Sequence, residues 1–372
     1  MGVLEKLAEL EDTPAARKAA LGSAAKIAGR NLRDWPRAIR AWRARLADDE
    51  SDLEALDGLA DAVAAAGDWP ALIEVLEARA RVSEPEAARR DRVFVARLWA
   101  DQVGDPERAV AAWRSLRREL GPDPESYEAL AELLQKGGRF GELAALTHEE
   151  AGAAEPGERR DRLLCALGET HLSHTGELEE ALDSFVLAGA WDRALAAVEA
   201  PHEGARQRKL AERLLETATQ AWTLDPDASQ HVDAGPGRAV AEGLEVLARR
   251  WTEEGELARV VEQKLEASKL PFPRARQREL VSEAACLCSD RLNDSERALG
   301  LFRRLFAEDL ADAVAQAAVT RFALLLEEQK LDSESVALWE EQAKARAALG
   351  ENGAAAALYA RAADLALERL GA

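Results

Sequence analysis

The chain has 372 residues, of which 69 are acidic and 49 basic, for a formal net charge of −20. Such a balance speaks against sequence-independent nucleic-acid binding and against docking on anionic lipid, because both need a net basic surface. The length exceeds what one compact core supports, a limit near ~250–300 residues, so two domains or a stack of repeats is expected.

Composition points to helices. Alanine supplies much of the 47% hydrophobic content, and the abundant alanine, leucine, glutamate and arginine are strong helix formers, whereas strand-favouring residues are sparse. Three cysteines, Cys165, Cys286 and Cys288, make no disulfide framework in a chain of this length, so a reducing compartment is expected. The opening Met-Gly-Val-Leu-Glu-Lys-Leu lacks a basic n-region and an apolar run, and Lys6 stands where myristoylation favours serine or threonine. No stretch approaches the ~18 consecutive apolar residues of a membrane span. An all-α cytoplasmic protein is expected, and the many Ala, Arg and Gly with few Lys look bacterial.

In chain order, residues 3–10 read as a short capping helix and 14–29 as a longer alanine-rich one. Asp34 caps a helix at 35–47, since its carboxylate can accept an orphan backbone N–H, while Pro36 in the first turn forfeits no hydrogen bond. A helix at 51–66 ends at Gly67, and Asp68-Trp69-Pro70 and Asp105-Pro106 repeat the capping device. Helices follow at 85–103, 106–120, 124–136, 140–152, 157–174 and 177–188, with links short enough to force antiparallel neighbours. Beyond them come helices at 191–199 and 204–224, a loop at 225–237, helices at 238–254 and 256–268, and a regular run at 274–292, 295–307, 311–329, 333–349 and 352–370.

A phrase recurs along this chain: a helix start, a small residue, and a bulky aromatic four positions later. Its copies are Ala38…Trp42, Ala109…Trp113, Ala181…Phe185 and Ala298…Phe302. The first two intervals between alanines are 71 and 72 residues, and the third is 117. A unit of 71 residues with four helices is two helix pairs of about 35 residues each. The segment from about 190 to 272 breaks the rule, and its turn-rich loop is the expected boundary between an N-terminal half at 1–224 and a C-terminal half at 238–372, with one continuous solenoid as the alternative.

Trp339, Ala343, Gly350, Ala355, Tyr359 and Ala362 have the spacing of a tetratricopeptide unit, and Ala166-Leu167-Gly168 resembles its first helix, with His171 where an aromatic is usual. The chain therefore resembles the tetratricopeptide-repeat family over most of its length, with degenerate units: many lack the small residue of the first helix, and Pro122 and Pro156 only partly replace the terminal proline. The resemblance implies a right-handed superhelical solenoid of roughly eight to ten hairpins, first helices lining a concave face, and a role in binding proteins or peptides.

Arginines cluster near the starts of successive first helices, where cations oppose the helix dipole: Arg89, Arg90 and Arg92; Arg159, Arg160 and Arg162; Arg206, Arg208 and Lys209; Arg274, Arg276 and Arg278. Two readings stand. They pair locally, as Glu86–Arg90, Glu155–Arg159 and Glu158–Arg162 at four-residue spacing and with neighbouring repeats, or they align into a basic ladder that receives an acidic segment or a C-terminal carboxylate. Trp42, Trp113 and Trp339 fall at packing positions, while Trp99, Trp222 and Trp251 are the candidates for a binding surface. His171 and His174 lack a third metal ligand, and Cys286-x-Cys288 lacks the two-residue gap of a zinc site. Gly235-Pro236-Gly237 has no preceding strand or following lysine, so no phosphate loop is present. The sequence thus predicts a non-catalytic scaffold or adaptor without cofactor or metal, binding a protein or peptide. The alternative is a self-associating component of a larger assembly, dimerising through the terminal repeats, whose last helix is rich in alanine and leucine.

Overall fold

A computed structural model describes residues 6, 10, 13–200, 203–225, 227–308 and 312–371. The helix expected at 3–10 lies outside the described residues, apart from Lys6 and Leu10, both helical. Nineteen α-helices and no strand occur among the described residues. The chain divides into two compact units, Met1–Thr170 and His171–Ala372, and the 225–237 segment lies inside the second.

The first unit holds α1 (Pro14–Lys26), α2 (Trp35–Asp48), α3 (Leu53–Ala66), α4 (Trp69–Val82), α5 (Pro85–Leu98), α6 (Pro106–Leu120), α7 (Pro124–Lys136), α8 (Phe140–Ala153) and α9 (Glu158–Thr170). The second holds α10 (Leu178–Leu187), α11 (Trp191–Glu199), α12 (Gly204–Thr223), α13 (Gly235–Glu253), α14 (Leu257–Ala267), α15 (Arg274–Asp290), α16 (Ser295–Glu308), α17 (Ala313–Glu328), α18 (Asp332–Ala348) and α19 (Asn352–Leu365). Within each unit consecutive helices pack on one another, the pattern of stacked antiparallel hairpins.

The helix starts follow the capping chemistry legible in the sequence. Asp34, Asp68, Asp105 and Asp294 accept from the backbone N–H of Arg37, Ala71, Arg108 and Arg297, at 3.0–3.2 Å, which satisfies one orphan donor in each case. The residue before the cap turns left-handed. Gly67 and Gly104 serve there at no steric cost, whereas Arg33 and Asn293 adopt the same conformation at φ 54 without glycine's freedom. Three first helices, α1, α5 and α9, run on into a wide π-type turn: Ile27–Asn31, Trp99–Val103 and His171–Thr175.

The recurring small-plus-aromatic phrase packs between hairpins. Ala38, Ala109, Ala181 and Ala298 are at most 1% exposed, and Trp42, Trp113, Phe185 and Phe302 at most 4%. The fit is tight at Trp42, whose indole occupies the space that a Cβ on Gly58 of α3 would need.

A second device joins successive hairpins. Arg45, in the last turn of α2, donates from Nε and Nη2 to both oxygens of Asp52 at 2.6 and 3.0 Å, and Asp52 in turn caps α3 by accepting from the Ala55 N–H. Arg79 of α4 holds Asp91 of α5 at 2.9 and 2.6 Å. Arg117 of α6 reaches Ser126 of α7 at 3.2 Å and Glu150 of α8 at 2.9 Å. In the second unit Arg278 of α15 binds Asp312, the cap of α17, at 2.9 Å, and the Leu305 carbonyl at 3.0 Å. Burial works to raise the Asp52 carboxyl, but hydrogen bonds from Arg45, Lys18 and the Ala55 N–H outweigh it and hold the group down to about 2.

The expected loop at 225–237 is shorter and more ordered than its composition implies. The Trp222 indole N–H donates to the Ala228 carbonyl at 2.8 Å, a short turn forms at Ala228–Gln230, and α13 begins at Gly235. Gly237 lies so close to the His231 carbonyl that a Cβ there would collide with it.

Two predictions follow from this packing. In Gly58→Ala, overpacking against Trp42 costs about 2 kcal/mol, more than the ~1 kcal/mol gained in helix propensity. Denaturant titration should therefore give a lower midpoint than wild type, while Gly300→Ala, which meets nothing within 4 Å, should raise it. The Asp52 carboxyl sits below its ordinary 3.8 when folded, so its stabilisation is complete above that pH and lost as pH falls toward 2. Asp52→Asn should cost about 2 kcal/mol at neutral pH, and urea titrations should find that gap closing as pH falls from 3.8 to about 2.

Candidate protein-binding grooves

The arginine clusters are largely neutralised by the chain's own acceptors. Arg89 donates to Asp123 at 3.0 Å and lies 3.4 Å from Glu125, Arg92 pairs with Glu119, and Arg159 pairs with the buried Glu150. Of the local pairs expected at four-residue spacing, Glu158–Arg162 forms, at 3.0 Å. Arg206 donates to the Gly176 carbonyl at 2.6 Å. Arg208 binds Glu254, and Lys209 binds Glu179, each at 2.6 Å. Arg276 sits among Glu245, Glu279 and Glu283 at 3.1–3.2 Å. Arg278 corrects the surface reading: it is 4% exposed and closes the clamp on Asp312. Arg90, Arg160 and Arg274 make no ion pair among the described residues, with Arg90 and Arg274 exposed and Arg160 half-buried.

The tryptophan candidates separate in the same way. Trp222 is fully buried, bonded to the Ala228 carbonyl and edge-on to Phe272 at 4.8 Å. It belongs to the core, where a partner cannot reach it. Trp251 packs against that core half-buried, its indole nitrogen enclosed without a hydrogen-bond acceptor. Trp99 lies in the wide turn after α5, with the Arg108 guanidinium 4.6 Å from its ring centre. Cys286 and Cys288 are held by burial above the ordinary thiol range, which disfavours the reactive thiolate.

Two hollows in the first unit have a common construction. The first, of about 350 Å³, lies between the end of α1 and the exposed face of α3; Gly29 and Arg30 of the wide turn line one side, and Glu54, Asp57 and Asp61 the other. The second, of about 370 Å³, lies between the end of α5 and α7; Ala100 and Asp101 of the next wide turn face Glu125, Glu128 and Glu132. Trp42 lines the first and Trp113 the second. Every step from Trp42, Glu54, Asp57 and Asp61 to Trp113, Glu125, Glu128 and Glu132 is 71 residues. The acids sit at three- and four-residue spacing, on one helix face.

Part of this acidity is met on the chain. Glu54 lies 2.5 Å from both Lys26 and Arg45, Asp57 is 2.8 Å from Arg79, Glu125 is 2.8 Å from Arg97, and Glu132 is 2.6 Å from Lys136. Asp61, Asp101 and Glu128 are exposed and make no ion pair among the described residues. Sequence reasoning passed over these triads because acids are so numerous; the signal that finds them is the register already established by the aromatics.

No protein-family model and no curated protein matches this chain. Among solved structures, the human IFIT1 dimer with m7Gppp-AAAA is similar over 98% of this chain and 77% of that one, at 15% identity and a TM-score of 0.27. Naa15/Naa10 bound to HypK-THB is similar over 94% and 63%, at 14% identity and 0.32. The C-terminal part of a TPR repeat-containing protein from Cytophaga hutchinsonii is similar over 80% and 98%, at 12% identity and 0.28. No helix among the described residues is long and apolar enough to cross a membrane.

Proposed function

We propose that this chain is a non-catalytic helical-repeat scaffold of the cytoplasm that holds a segment of a partner protein against the first helices of its N-terminal unit. The observation that carries this reading is the pair of hollows between α1 and α3 and between α5 and α7, built from equivalent residues 71 positions apart. Packing accounts for a repeated aromatic, but Asp57, Asp61, Glu128 and Glu132 are exposed, so their repetition in one register fits a surface used twice. Helices clamped by buried ion pairs keep such hollows open before a partner arrives, and preorganisation lowers the cost of binding on the scaffold's side. Selection of random displayed peptides on the full chain should enrich binders, and Ala129→Tyr, which fills the second hollow, should release them. An absence of enrichment, or binders indifferent to the filled hollow, would overturn the reading.

A second reading, self-association, rests on Tyr359. It occupies the aromatic place of the repeat, yet is 42% exposed, where Trp42, Trp113, Phe185 and Phe302 are covered. Leu367 and Leu370 beyond it are exposed as well. A covering helix supplied by a second copy would bury that face. Light scattering over a concentration series should then report a rise in mass that Tyr359→Glu removes; a monomer throughout would exclude it.

A further inference from the structure

Resting on the scaffold reading, we infer that the segment held by the N-terminal unit is basic at both ends and apolar in the middle. The hollows supply the ends. Each presents three carboxylates of one helix face across from a wide turn, with Gly29 and Ala62 in the first and Ala100, Ala129 and Leu133 in the second to carry apolar stems. A lysine or arginine suits such a lining, because its methylene stem covers apolar surface while its charge reaches a carboxylate. Asp61, Asp101 and Glu128 make no ion pair among the described residues, although the charge of Asp101 is felt by Lys136. The Glu132–Lys136 pair is exposed, and exposed pairs are worth little and are readily exchanged, while Asp57 presents an exposed carboxylate to Arg79, a half-buried guanidinium that Asp91 also holds.

Bases also line these hollows. Lys26 and Arg97 are engaged by Glu54 and Glu125, and Lys136 by Glu132, while Arg30, in the lining of the first, is exposed and makes no ion pair among the described residues. Counting every charged lining residue, the first hollow has three acids against two bases and the second four against two. The net charge of −20 adds a field that draws a cationic segment in and repels an acidic one.

The middle is set by α5, between the two acidic helices. Arg90, Phe94, Arg97 and Asp101 follow one another at four, three and four residues along a single face. Phe94 is 46% exposed there, with an arginine one turn to either side. A cation in the partner is unfavourable at that point, whereas an apolar side chain covers the phenyl ring. The order of surfaces across α3, α5 and α7 is therefore acidic, aromatic between cations, acidic.

Fluorescence anisotropy on the full chain tests this with three labelled peptides: two lysine-rich stretches flanking a leucine-rich one, the same with glutamate for lysine, and the same with glutamine. The lysine peptide should bind best and weaken as salt is raised. It should bind about tenfold more weakly to the combined variant Asp57→Asn, Asp61→Asn, Glu128→Gln, Glu132→Gln, the summed effect of four exposed charge pairs, at unchanged helical circular dichroism. Phe94→Ser should weaken the lysine peptide without changing its salt dependence. Equal binding of the lysine peptide to wild type and the neutralised variant overturns the inference. Tighter binding of the glutamate peptide, lost in Ala129→Tyr, also overturns it and leaves the scaffold reading standing; failure of all three peptides on a chain that does enrich displayed peptides has the same meaning.

Discussion

A guanidinium buried between one hairpin and the next is the interaction on which the stacking of this protein depends. Apolar burial supplies most of the free energy, through clusters such as the one that runs from Ala25 to Leu98. Apolar contacts alone are tolerant of small slips, since one methylene serves nearly as well as another. The Arg45–Asp52 pair is not tolerant: two hydrogen bonds and a helix cap are all satisfied in one arrangement, and a slip leaves a charge buried without a partner. Arg79, Arg117 and Arg278 repeat the arrangement with different acceptors. The net worth of each pair is modest, and its effect is on register.

Pairing of the same kind engages most of the clustered arginines, while Arg90, Arg160 and Arg274 make no ion pair among the described residues. In a chain with 69 acids, a guanidinium near a hairpin junction finds a carboxylate on the neighbouring helix before any ligand does. The acids outnumber the bases, and Asp61 on α3 and Glu128 on α7 are among those that make no ion pair among the described residues. The electrostatic character of the proposed binding surface is thus what is left after the structural pairs are made.

Much of this architecture was legible in the sequence. Asp-Trp-Pro and Asp-Pro starts, glycine stops and the aromatic four residues after a small one are local signals, and helices 35–47, 106–120 and 124–136 were placed to within a residue or so of α2, α6 and α7. What escaped depended on residues distant in the chain. Arg278 reads as a surface cation until Asp312 and the Leu305 carbonyl are brought to it. Trp222 reads as an exposed candidate, and the 225–237 segment as an open loop, until the indole is seen to tie that loop down. The acidic triads lay in plain view, but single carboxylates in an acidic chain carry no information until a register pairs them.

The wide turns after α1, α5 and α9 have a geometric effect. They fall at Ile27, Trp99 and His171, each step 72 residues, so between α1 and α9 they follow every second first helix, and α3 and α7 end without them. Over that stretch the helices form a superlattice: the clamps at Arg45, Arg79 and Arg117 recur with each hairpin, but the surface relief repeats with every two. A molecule read by that relief sees a ruler with coarse graduations, and commensurability with the longer period, rather than affinity at any one mark, becomes the quantity on which recognition turns.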